Sequence, residues 1–229
     1  MAILLILGVI VFALAVLPQM WVQRVLAQHR HDRADIPGTG GEFARHVLDG
    51  MKLHHVGVEE SKIGDHYDPA AKVVRLSPEH LRGRSLAAMV VAAHEVGHAM
   101  QDATGYRPLT ARTRLAKQAN TIQRVGSVVM LTAPIMLAIA KAPGLVLVQV
   151  VAGAAIFGST VFMHLLTLPV EMDASFRRAL PLLKEGRYLD DKDLPAARSI
   201  LRAAAFTYVA AAAYTLLDVA QWARIILRR

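Results

Sequence analysis

Ala92-Ala93-His94-Glu95-Val96-Gly97-His98-Ala99-Met100-Gln101 carries the pattern H-E-x-x-H, and the rest of the chain is read outward from it. It lies within Leu86 to Ala103, a run rich in Ala, Val and Met and free of Pro. Ser85 can cap the start and Gly105 can end it, so a helix is expected. On a helix, His94 and His98 project from one face, one turn apart. Two imidazoles so placed can bind a single zinc ion, with Glu95 left free to activate a water as general base. The remainder of the run is apolar nearly all round, which predicts burial. A buried polar patch needs partners, and one metal ion satisfies both imidazoles.

At 229 residues the chain is long enough for one ordinary domain, or for a small domain with membrane helices. Hydrophobic residues make up 54%, aromatics only 6%, and the mean hydropathy is positive, which fits a chain partly dissolved in lipid. The formal charge of +8 raises nucleic acid as a partner. Its Lys and Arg, however, gather beside apolar runs and no nucleic-acid motif is present, so they are read as membrane flanks. With no Cys, disulfides and thiolate metal ligands are both excluded.

Ala2 to Val22 is an almost unbroken apolar run, long enough to span a bilayer. Ala13-Leu14-Ala15 resembles a signal-peptide cleavage site, but no Lys or Arg precedes the run, whereas Arg24, Arg30 and Arg33 follow it. An uncleaved anchor with a cytoplasmic downstream segment is expected. Gln23 to Arg84 reads as soluble. Within it, Glu42 to Met51 is compatible with a helix facing inward through Phe43, Val47 and Leu48. Val56-Gly57-Val58 and Lys72 to Leu76 are β-prone, and the turn chemistry of Asp68-Pro69 between them predicts a small antiparallel hairpin. Ser77-Pro78-Glu79 reads as the cap and first turn of a short helix. One edge of the sheet can lie over the metal helix and pair with an extended peptide.

Beyond the metal helix, Arg112, Arg114, Lys117 and Arg124 form a second basic flank. Val125 to Ala140 (with Pro134 inside), the turn Lys141-Ala142-Pro143-Gly144, and Leu145 to Leu168 then read as a transmembrane hairpin. A hairpin returns the chain to the side it left, bringing Pro169 to Ser175 back toward His94 and His98. Arg177, Arg178, Lys184 and Arg187 follow on that face. A catalytic zinc usually has three protein ligands and an open position. No His follows His164, so Glu171, Asp173, Asp190, Asp191 and Asp193 are the downstream candidates. Glu171 stands where the apolar run reaches the surface.

These residues resemble the YugP-type membrane zinc metallopeptidases, within the broader group that combines H-E-x-x-H with a distal Glu ligand. The resemblance covers nearly the whole chain and rests on Asp65-His66-Tyr67-Asp68-Pro69, Ala93 to Ala99 with Gln101-Asp102-Ala103, Gly105-Tyr106-Arg107-Pro108-Leu109, and Pro169 to Ser175. It implies one zinc ion held by His94, His98 and Glu171, with Glu95 as general base. Related membrane peptidases often carry Asp four residues after the distal Glu. This chain has Ser175 there, which leaves the supporting roles of Ser175 and Asp173 open. For the oxyanion of a tetrahedral intermediate, Tyr67, Arg177 and His66 are candidates, and spacing favours none.

The expected architecture is mainly α with a small antiparallel β element: a multi-pass membrane protein with a zincin-like H-E-x-x-H helix. It divides into an anchor (1–23), a metallopeptidase segment (24–124), a transmembrane hairpin (125–168), a surface segment supplying the third ligand (169–201), and a fourth apolar helix with a basic C-terminus (202–229). The expected activity is zinc-dependent endopeptidase hydrolysis of a peptide or membrane-protein substrate, at the cytoplasmic face of a prokaryotic plasma membrane. Partners are that substrate and the lipid bilayer, with membrane partner proteins or further copies of the chain left open. A zinc-binding scaffold or adaptor that cleaves nothing is the alternative. His29-Arg30-His31-Asp32-Arg33 is read as a topogenic flank rather than a metal site, and His54-His55 as solvated. His164 is a polar group within the third apolar run, open to a functional role or to a helix–helix hydrogen bond.

Overall fold

The computed structural model describes residues 2–116, 118, 121, 124 and 143–205. Its organising element is α4, Leu86–Ala103, with the bounds expected from sequence. Ser85 Oγ accepts from the Ala88 N–H at 3.1 Å, and the chain leaves the helix through Gly105 at φ +64°, a left-handed turn suited to glycine. Ala88, Met89, Val90, Ala92, Ala93 and Val96 are all essentially without solvent exposure, so the helix is encased.

The other helices and a small sheet encase it. Helix α1, Ala2–Gln28, reaches the domain through its C-terminal end, where Val25 is buried and Val22 and Leu26 pack on the core. Helix α2, Gly40–Gly50, begins with a reciprocal capping box between Thr39 and Glu42 and buries the stripe Phe43, Ala44, Val47 and Leu48. Helix α3, Pro78–Arg82, is a short turn before α4. On the remaining side, α6 (Pro143–Met172) runs into a π segment, Asp173–Ala179, and on into α7, Leu180–Glu185. Pro181 lacks the N–H that would close an ordinary turn on Arg177, and the Leu180 N–H instead bonds back to Ser175 O, a wider turn. Helices α5 (107–116) and α8 (194–205) complete the described part, with Ile200 and Leu201 of α8 in the core.

The sheet differs from the expected hairpin. Three strands, β1 (Gly57–Glu60), β2 (His66–Asp68) and β3 (Val73–Leu76), lie in the order β1-β3-β2. The turn at Asp68-Pro69 does join an antiparallel pair, with Asp68 Oδ1 accepting from the Ala70 and Ala71 N–H groups. The strand beyond it is β2, however, and β1 pairs with β3 in parallel, so the sheet is mixed. Tyr67 explains the choice. Its ring is buried and its hydroxyl donates to Asp102 of α4 at 2.6 Å, which draws 66–68 onto the metal helix as a strand.

The expected membrane segments are only partly described. The Val125–Ala140 arm and residues 206–222 of the fourth apolar helix lie outside the described residues, as do several side chains of α1 and α6, His164 among them. With those set aside, no helix among the described residues is long and apolar enough to cross a membrane. The multi-pass arrangement is therefore unsupported, and the architecture stands as mainly helical with a small mixed sheet.

Candidate metal centre

His94 and His98 face one another on α4 with ring centroids 4.7 Å apart, and α6 delivers Glu171 against both. Glu171 Oε2 lies 3.1 Å from Nε2 of His94 and 3.4 Å from Nε2 of His98. Ligand atoms of all three residues fall within 4.8 Å of one another, a group that can hold one metal ion. Two imidazoles and a carboxylate form the mixed N/O donor set that suits zinc and leave a fourth position open. Asp190, Asp191 and Asp193 are not in this group. Asp190 and Asp193 gather instead with Asp35, where Arg33 and Lys192 neutralise them.

Each member of the triad is held from behind. Gln101 Oε1 lies 2.9 Å from Nδ1 of His98. An amide oxygen only accepts, so Nδ1 carries the proton and Nε2 is left as the nitrogen able to coordinate a metal. The Gln101 NH₂ group spends both protons, on Val170 O at 2.8 Å and Asp173 Oδ2 at 2.9 Å, and Arg178 Nε donates to that same carboxylate oxygen at 2.8 Å. Ser175 Oγ stands 3.0 Å from Nδ1 of His94. The other Glu171 oxygen, Oε1, accepts from Arg112 Nη1 at 2.8 Å. Burial alone would raise the Glu171 pKa, but the two imidazoles outweigh it and hold the carboxyl well below its ordinary range.

Close packing makes this possible. Gly97, between the two histidines, meets the Ala174 backbone so closely that a Cβ there would stand 2.7 Å from the Ala174 oxygen. Only glycine lets the π segment approach near enough for Ser175 to reach His94.

Glu95 is buried beside the triad without joining it. Desolvation pushes its carboxyl up to about 7, with Glu171 and Asp65 adding repulsion, while His94 and the Tyr67 N–H pull the other way. It lines a cavity of about 240 Å³ together with His94, Glu171, Asp65 and His80. Asp65 accepts from Nδ1 of His80 at 2.8 Å and from the Ser77 N–H at 2.7 Å, so the pair is a fixed part of the wall.

The three oxyanion candidates named from the sequence fall elsewhere: Tyr67 OH is tied to Asp102, His66 Nδ1 contacts Gly64 O, Arg177 is exposed, and none lines the cavity. Sequence reasoning also missed Gln101, Arg112 and His80. Gln101 is three residues after His98 and hence on its face, a legible signal. Arg112 is indistinguishable in sequence from a membrane-flanking charge, and His80 sits on a five-residue helix with no motif to mark it.

A family model described as "Putative neutral zinc metallopeptidase" matches residues 3–227. The chain is also 37% identical, over 191 residues, to a Bacillus subtilis (strain 168) protein named "Putative membrane protease YugP", a match covering 82% of this chain and 81% of that one. No solved structure matches.

Proposed function

We propose, from the premise that this chain belongs to the family described as "Putative neutral zinc metallopeptidase", that it is a zinc-dependent endopeptidase working at a membrane surface. The observation that carries the reading is the division of labour at the cavity. Three donors (His94, His98 and Glu171) form the group that can hold the ion, and a second buried acid, Glu95, stands beside them outside that group. A purely structural zinc site is closed by four ligands and has no use for an adjacent carboxylate.

Bound there, zinc would lower the pKa of a water and polarise a carbonyl. Glu95 takes the proton of the attacking water and hands it to the leaving amine. Gln101 and Ser175 keep both imidazoles turned inward through their Nδ1 atoms, and Arg112 restrains Glu171 through Oε1. His80 donates its Nδ1–H to Asp65, so its imidazolium form, through Nε2–H, is the candidate donor to the oxyanion, because it lines the cavity and is neither ligand nor base.

Membrane association is supported by the outward apolar side chains Ile6, Val9, Phe12 and Leu17 of α1, each 59–66% exposed in the isolated chain, and by the name of the Bacillus relative. The Arg and Lys residues at 24–33, 112–124 and 177–187 favour a cytoplasmic face for the site.

The test is metal analysis of the purified chain followed by hydrolysis of an unfolded protein with and without chelator. One zinc per chain and chelator-sensitive hydrolysis are expected. Glu95→Gln should keep its zinc and lose roughly 10²–10⁴-fold in rate. Stoichiometric zinc with no hydrolysis by the wild type would favour the scaffold reading instead.

A further inference from the structure

The cavity lined by His94, Glu95 and Glu171 is also walled by apolar side chains. Val22 and Leu26 of α1, Val90 and Val91 of α4, and Ile200, Leu201 and Ala204 of α8 form its walls. Val90 and Val91 precede His94 by four and three residues, one helical turn or about 5 Å along α4. Successive side chains of an extended peptide advance by about 3.3 Å per residue. A residue flanking a bond held at the triad therefore has its side chain within reach of these walls.

We infer that the apolar walls of this cavity form a specificity pocket for one aliphatic side chain, of about leucine size, next to the scissile bond. The inference rests on the peptidase reading and names its substrate class. Size supports a single side chain. The whole cavity, polar lining included, is about 240 Å³, below the ~300–1,000 Å³ of sites that engulf a whole ligand. Chemistry supports an aliphatic one. The polar lining consists of Asp65, His80, His94, Glu95 and Glu171, and the valine, leucine and isoleucine walls offer a charged or amide side chain no hydrogen-bond partner for the water it would lose. Orientation follows, with the scissile carbonyl at His94, Glu95 and Glu171 and the side chain against the apolar walls. The wall contributed by α1 makes the N-terminal helix part of the site.

The experiment uses the full, zinc-loaded chain and a set of peptides identical except for Leu, Ala or Asp on either side of one bond, the cleaved bond being located by mass spectrometry. Cleavage of the Leu peptide should exceed that of the Ala peptide by about 10-fold or more in kcat/KM, since a single methylene in an apolar pocket is worth about 10–200-fold, and Asp should be worse still. Two variants that fill the pocket from different helices, Val91→Leu and Ala204→Leu, should shift the preference toward Ala while zinc content and Tm stay near wild type. A variant that loses zinc or unfolds is set aside in favour of the other. The same peptides are titrated by fluorescence anisotropy into zinc-loaded Glu95→Gln protein. Tighter binding of the Leu peptide supports the pocket even if no peptide is hydrolysed, an outcome that removes the peptidase reading alone. Equal binding of Leu, Ala and Asp, or a preference that neither filling variant alters, overturns the pocket.

Discussion

Gly97→Ala tests whether the site is built by close approach of two backbones. The added Cβ would stand 2.7 Å from Ala174 O, 3.3 Å from its carbonyl carbon and 3.4 Å from its Cα. All three are main-chain atoms, so no rotamer change relieves the contact. A comfortable carbon–oxygen approach starts near 3.3 Å, so α4 and the π segment would have to part by about 0.6 Å. Overpacking of this kind costs about 1–3 kcal/mol, and the rigid neighbour places it at the upper end. The better helix propensity of alanine returns about 1 kcal/mol. A net loss of about 2 kcal/mol lowers Tm by roughly 4–8 °C in a chain of this size. The metal should register the change more sharply, because coordination distances tolerate only about ±0.2 Å. A loss of at least ~10-fold in zinc affinity is expected, the scale of losing an outer hydrogen bond to a ligand. Gly50→Ala is the control, since its Cβ meets nothing within 4 Å and should raise stability by about 0.4–1 kcal/mol. Both variants are measured by thermal melts and by competition with a zinc-binding dye. If Gly97→Ala melted higher, as Gly50→Ala should, and bound zinc like the wild type, the close approach would not be what assembles the site.

Three further outcomes are expected. Ser175→Ala should weaken zinc binding by roughly 10–100-fold and Ser175→Asp should restore it, while failure of Asp to rescue would deny Ser175 the role of orienting His94. Asp65→Asn should lower stability at neutral pH and flatten its loss in acid. The His80 and Ser77 hydrogen bonds outweigh burial and hold the folded pKa of Asp65 below 3.8, so its contribution is complete above that pH and disappears as pH falls through the folded value. Melts across the acid range check this, and a variant whose deficit is the same at every pH would contradict it. Reporter fusions after Gly57 and after Leu189 should both read cytoplasmic, and an external signal from either would exclude the proposed orientation.

What can be read in advance follows how local each signal is. Helix α4 announces itself through Ser85, an uninterrupted apolar run and Gly105, all within about twenty residues, and the i, i+4 spacing alone puts His94 and His98 on one face. The turn at Asp68-Pro69 is legible because Asp68 satisfies it with its own side chain. Strand order is not, because β1 joins β3 through pairing that no adjacent residue encodes, and Tyr67 becomes a strand residue only by reaching Asp102 thirty-five positions away. Ordinary helical phase would turn Asp173 away from the metal side. The wide turn starting there instead leaves its carboxylate buried against Gln101. Arg112 shows a different limit, since the same charge that flanks an apolar run also holds Glu171.

The π segment between Glu171 and α7 uncouples two rotational settings along one continuous rod. Upstream of it, the rod must present Glu171 to the histidines. Downstream, it must turn Ala179 and Leu183 into the core. In a regular α-helix a single phase would govern both, and each residue added or removed turns everything beyond it by about 100°. The wide turns absorb that difference, so the grip on the core and the aim of the carboxylate can be adjusted separately.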